Sequence, residues 1–91
     1  MRLDKFMKVS RLSKRRSEAH EALVYGRITK ADRALKPGYQ VKVGDVLDIH
    51  YATKFVTVRV REVPQRVTPG IKPADLYEVL QQRADEPSDW I

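Results

Sequence analysis

The side chains best equipped for chemistry are the cations of the run Arg11-Leu12-Ser13-Lys14-Arg15-Arg16-Ser17, and their chemistry is anion capture. Read as a helix capped by Ser13, the run puts Lys14, Arg15 and Arg16 in the first turn. A helix N-terminus already carries a partial positive charge, so each added cation there costs roughly 0.3–1 kcal/mol until an anion arrives. The free backbone N–H groups at that end are ready donors for a phosphate. The alternative is a solvated basic turn with no ligand.

The charge distribution supports an anionic partner. The chain has 91 residues and a formal charge of +6. Residues 1–36 hold eleven Lys/Arg against four Asp/Glu, and residues 37–91 hold seven against eight. The whole surplus lies in the N-terminal part, which favours nucleic acid over small neutral ligands.

Catalysis has little support. The two histidines, His20 and His50, fall on a helix and in a strand with no cysteine and no suggestive carboxylate spacing around them. Each reads as an ordinary surface or half-buried histidine. The four glycines are too dispersed for a phosphate loop. No catalytic residue, metal site or cofactor is expected. Without cysteine there is neither a disulfide framework nor a thiolate zinc site. The opening MRLDKF lacks the apolar run of a signal peptide or membrane span, so a soluble, cytoplasmic protein with no membrane partner is expected.

The elements that must position the cations follow from hydrophobic spacing. Leu3, Phe6 and Met7 fall on one side of a first helix over Arg2–Val9, with Arg2, Lys5 and Lys8 outside. Asp4 and Lys8 are spaced as an ordinary i,i+4 helix pair, the favoured reading; the other is that Asp4 holds a neighbouring arginine. A second helix over Lys14–Tyr25 packs through Ala19, Ala22 and Leu23, is bordered by Arg15 and Arg16, and stops at Gly26. Short strands are expected at Arg27–Thr29 and Ala34–Leu35. Longer ones follow over Val46–Tyr51 and Phe55–Glu62, joined by a hairpin at Ala52, Thr53 and Lys54. Pro64–Pro73 reads as a connector. A short helix is expected from Pro73 to about Arg83 with Leu76, Val79 and Leu80 as its apolar residues. The acidic tail should fray, although Trp90 and Ile91 are apolar enough to dock.

The cations available to grip a phosphate backbone are Arg2, Lys5, Arg11, Lys14, Arg15, Arg16, Arg27, Lys30 and Lys36. Tyr25 and Tyr39 offer stacking surfaces but read as packing at the sheet edge.

The segments RLDKF, RLSKRRSEA, GRI, KP and VGD, in this order and spacing, resemble the S-four domain, or alpha-L RNA-binding motif, over about Arg2–Leu47. Within that superfamily the opening and the later LYEVL look like the stand-alone bacterial RqcP (YabO) family, with the heat-shock ribosome-binding protein as a longer relative.

The expected architecture is α+β. Two N-terminal helices pack on a small, mostly antiparallel sheet, with a short C-terminal helix added. Residues 1–63 form the RNA-binding domain, and residues 64–91 the connector, helix and acidic tail.

The resemblance implies a non-catalytic factor of ribosome-associated quality control. Such a factor binds 23S rRNA of stalled large ribosomal subunits and stabilises P-site peptidyl-tRNA while RqcH drives alanine tailing. It implies a monomer, with RqcH as a functional partner. The matching positions are Arg2, Asp4, Lys5, Arg11, Lys14, Arg15, Arg16 and Ser17, with Arg2 and Arg16 first for RNA backbone contacts and Asp4 orienting an arginine. One departure stands at Thr29–Leu35: Ala31 and Asp32 occupy the turn where family members usually carry Asn-Gly, and Lys30 and Arg33 beside it are candidate phosphate contacts. The competing readings are a heat-shock-type recycling factor, a helix-turn-helix DNA-binding regulator and an RNA-modifying enzyme relying on a partner. Against the DNA reading, the second helix lacks Asn and Gln.

Overall fold

The computed structural model describes residues 1–84. Helix α1 spans Leu3–Val9 and helix α2 Arg16–Val24. The strands are β1 Ile28–Lys30, β2 Arg33–Ala34, β3 Val46–His50, β4 Lys54–Val60 and β5 Tyr77–Ala84. They form one sheet in the order β2-β1-β3-β4-β5, with every pairing antiparallel. The α+β expectation of two helices and a small antiparallel sheet is met.

Alternation decides which face of the sheet is buried. Leu47 and Ile49 of β3 and Val56, Val58 and Val60 of β4 join Leu3, Phe6 and Met7 of α1 and Ala19 and Leu23 of α2 in one core. Strand period and helix period thus deliver their apolar residues to the same layer. Helix α2 closes as expected at Gly26, whose φ is +71°. The Gly26 N–H donates to the Leu23 carbonyl at 3.1 Å and the Arg27 N–H to the Ala22 carbonyl at 2.9 Å, the paired bonds of a Schellman motif.

Two expectations are corrected. The first is the start of α2. Arg15 is extended at the N-cap with no side-chain cap, so the helix begins at Arg16, and Lys14 and Arg15 lie outside its first turn. Ser13 does not cap it, because its Oγ donates to the Arg15 carbonyl at 3.0 Å.

The second is the C-terminal helix expected from Pro73 to about Arg83. A single 3-10 turn at Pro73–Asp75 leads instead into β5, which pairs along β4 from Val60↔Tyr77 to Lys54↔Ala84. The outer edge of β4 otherwise leaves a row of backbone groups without sheet partners. Pairing there, reinforced by Arg59 with Glu78 and by Arg83 over the Phe55 ring at 4.8 Å, overrides the local helical spacing. Of the three apolar residues assigned to that helix only Leu76 is buried, while Val79 and Leu80 are exposed. The sheet therefore includes residues beyond the expected boundary at 63. The expectations for the acidic tail, Trp90 and Ile91 lie outside the described residues.

The β1–β2 turn is a two-residue hairpin, with Lys30 opposite Arg33. Ala31 and Asp32 both take positive φ, +50° and +65°, as in the Asn-Gly turns of this hairpin class.

Candidate nucleic-acid interface

The site is built around one buried carboxylate. Asp4 sits in α1 on the side facing α2, and the residue is only 3% exposed. Its Oδ1 accepts the Lys5 N–H at 2.8 Å and an Arg16 guanidinium N–H at 3.3 Å. Its Oδ2 accepts from Arg2 at 3.2 Å and lies 3.6 Å from His20 Nδ1. Burial alone pushes the Asp4 carboxyl up, but the Lys5 amide, the charges of Arg16 and Arg2, and His20 together hold it below its ordinary value.

The favoured Asp4–Lys8 helix pair is thereby corrected: the carboxylate turns inward and serves the arginines. Both arginine side chains remain half exposed, at 49%, so each guanidinium is gripped on one side and open on the other. A planar fork held in this way has donors left for a phosphate.

Backbone pairing fixes the hub. The Leu3 and Asp4 N–H groups at the start of α1 donate to the carbonyls of Tyr39 and Pro37, and Arg2 bridges to Gln40. The loop after β2 thus satisfies donors that a helix start leaves open. Lys36 is exposed in the same loop. Arg2, Lys5 and Arg16 line one shallow depression with Gln40 and Pro64.

Arg11 and Lys14, with Lys8, line a second depression at the α1–α2 turn. Arg11 there takes φ +60°, a position where glycine is usual. Arg15 and Ser17 are exposed beside it, and Arg27 is exposed at the far end of α2, its guanidinium 5.9 Å from the Tyr25 ring centre. The expected cations therefore divide between the Asp4 hub and the α1–α2 turn, with Arg27 lining one groove together with Arg11 and Lys14, and Lys36 at a separate point.

Lys30 is placed differently from the others. Its Nζ donates to Asp45 Oδ1 at 2.8 Å and to the Tyr39 hydroxyl at 3.1 Å, and that hydroxyl donates to Asp45 Oδ2 at 2.9 Å. The Asp45 and Tyr39 hydrogen bonds lift Lys30 to about 12. Burial raises the Asp45 carboxyl, but Lys30, the Lys42 N–H and Tyr39 outweigh it and hold it low. This cluster ties β1 to the loop that supports α1. Arg33, its expected companion, is exposed.

Residue spacing alone misses this latch and the closure of Asp4 on Arg16, although the family resemblance implies that Asp4 orients an arginine. Both join residues that are distant in the chain. One visible hint is an aspartate directly after a leucine of the apolar side of a short basic helix.

Among the described residues no group of three or more His, Asp or Glu side chains could hold a metal ion, and no helix is long and apolar enough to cross a membrane.

Residues 1–47 match the family model described as S4 domain. The chain is 46% identical over 82 residues to the RQC P-site tRNA stabilizing factor of Halalkalibacterium halodurans, covering 90% of this chain and 92% of the relative. It is 43% identical over 82 residues to the protein of that name from Bacillus subtilis, covering 90% and 94%. With that of Listeria innocua it shares 40% over 87 residues, 94% of each. Among solved structures, Heat Shock Protein 15 of Vibrio cholerae, described as trimeric, superposes with a TM-score of 0.77 at 22% identity over 87% of this chain and 80% of that one. That likeness extends the fold agreement beyond the residues of the family model.

Proposed function

Since this chain belongs to the S4 domain family and to its RQC P-site tRNA stabilizing factors, we propose that it binds the large subunit of a split, stalled ribosome and holds peptidyl-tRNA in the P site. The rRNA contacted is 23S, and RqcH is the partner whose alanine tailing the held tRNA permits. The protein acts without catalysis, in the cytoplasm, as a monomer.

The observation that carries this reading is the Asp4 hub. A buried carboxylate holds two half-exposed guanidiniums from different elements in fixed relation, as recognition of structured RNA by its backbone requires. Arg2 and Arg16 contact phosphates, Asp4 orients them, and Lys5, Arg11, Lys14, Arg15, Ser17, Arg27 and Lys36 extend the contact. Lys30 contributes by bracing the supporting loop.

Purifying the tagged protein from cells with stalled ribosomes tests the proposal. Large subunits with tRNA and RqcH are expected; recovery of only free protein or of intact ribosomes contradicts it.

A further inference from the structure

His20 is the third side chain drawn to Asp4, and the contacts proposed for the arginines leave it unused. It stands one turn after Arg16 on α2, with Nδ1 3.6 Å from Asp4 Oδ2, the oxygen that also accepts from Arg2. Side chains four apart on a helix lie about 5–6 Å from each other, so His20 stands beside the Arg16 fork. Its side chain is 53% exposed, slightly more than either arginine. A histidine that reads from the sequence as an ordinary surface residue is thus held on one edge by a buried carboxylate and open on the other. Val24 continues the row a further turn on and is 61% exposed. Beyond Arg16 the row therefore carries neither a carboxylate nor another arginine or lysine.

The three arms around Asp4 differ in what they offer RNA. A guanidinium has five N–H donors and no acceptor, so Arg2 and Arg16 suit phosphate oxygens, which DNA carries as well. A neutral imidazole facing a carboxylate carries its proton on the near nitrogen, so that its far nitrogen, Nε2, accepts; a protonated imidazole donates there. A phosphate oxygen only accepts and matches one of these states. A ribose 2′-hydroxyl both donates and accepts and matches both, and it is the group by which a protein tells RNA from DNA. In A-form RNA the shallow minor groove displays these hydroxyls together with the phosphates. The exposed Val24 beside His20 offers an apolar surface to sugar carbons and nothing to a second phosphate.

We propose that His20 Nε2 hydrogen-bonds a ribose 2′-hydroxyl of the strand whose phosphate Arg16 holds, with Asp4 fixing the ring through Nδ1. His20 thereby makes the hub selective for RNA over DNA. The assignment rests on the Asp4 hub being the place where RNA binds.

The test compares an RNA hairpin with the same hairpin carrying 2′-fluoro riboses, which keep the A-form geometry and the phosphates but lose the hydroxyl. Binding to each is measured for the parent chain, His20→Ala, His20→Gln and Arg16→Ala, with folding checked by circular dichroism. The parent is expected to prefer the RNA hairpin by about three- to tenfold, the worth of one hydrogen bond. His20→Ala should lose that preference through weaker RNA binding, with the salt slope unchanged. His20→Gln, whose amide can both donate and accept, should restore part of it. Arg16→Ala should weaken binding to both hairpins. A parent chain that binds the two hairpins alike, or a His20→Ala chain that keeps the parent's preference, overturns the assignment. So does a His20→Ala chain that weakens both hairpins equally and flattens the salt slope, since His20 then holds a phosphate. Arg16→Ala binding both hairpins as tightly as the parent overturns the hub reading itself, and this assignment with it.

Discussion

An Asp4→Asn substitution preserves the shape of a side chain that is 3% exposed and removes the charge on which Arg2 and Arg16 converge. The Lys5 N–H bond survives, because the Asn Oδ1 can accept it. Each broken ion pair has one half-exposed partner, so solvent screening limits it to at most about 1 kcal/mol, and the total destabilisation to about 1–2 kcal/mol. Binding suffers separately. Two guanidiniums no longer held in place must be ordered by the RNA, at about 0.5–1.5 kcal/mol each, which lowers affinity by about 5- to 150-fold. Removing a negative charge near phosphates acts the other way, but that charge is already neutralised by its two partners. Cosedimentation with purified large subunits across a salt series separates these effects. Asp4→Asn should weaken binding with an unchanged salt slope, because the phosphate-neutralising cations remain. Arg16→Ala should weaken it and flatten the slope by about 0.7–0.9 for each phosphate left without its cation. An Asp4→Asn protein that binds as well as the parent, or whose slope changes as much as that of Arg16→Ala, refutes the orienting role.

Acid should find the same carboxylates. Asp4 and Asp45 are both held below 3.8 in the fold, so their contribution to stability is present above that value and is lost as pH falls through the lower folded one. A melting series from pH 5 to pH 2 should show the loss, and Asp45→Asn should flatten it while costing about 2–4 kcal/mol at neutral pH. At the alkaline end Lys30 and Tyr51 are both raised to about 12, so their contributions hold below pH 10 and disappear as pH climbs towards 12. Tyr51→Phe, which removes the bond to the Leu12 carbonyl, should lower stability by about 1 kcal/mol in a urea titration. In the β1–β2 turn, Ala31→Asn with Asp32→Gly should relieve two positive-φ residues and raise stability by about 1–2 kcal/mol in thermal melts. Lys30→Met should reduce stability and change the salt slope of RNA binding far less than Arg16→Ala does.

What can be read from the chain divides by range. Local periodicity marks out the buried sets of α1, β3 and β4, and Gly26 marks the end of α2, because those signals act within a few residues. The start of α2 falls later than its spacing suggests because Ser13 bonds forward to the Arg15 carbonyl instead of capping. Strand β5 reads as a helix because Leu76, Val79 and Leu80 fall at helical spacing, and the deciding partner, β4, is contributed by another part of the chain. The same limit applies to the site. The basic run is visible in the sequence and the family resemblance singles out Arg2 and Arg16, whereas Asp4 reaching Arg16 and Lys30 reaching Asp45 are contacts over twelve and fifteen residues that no spacing rule announces.

The arginine pair is proposed to keep tRNA on the large subunit, and following the loss of labelled peptidyl-tRNA from isolated large subunits tests this most directly. The parent protein should slow that loss while Arg16→Ala leaves it at the rate of subunits alone. Equal rates with and without the parent protein contradict the account.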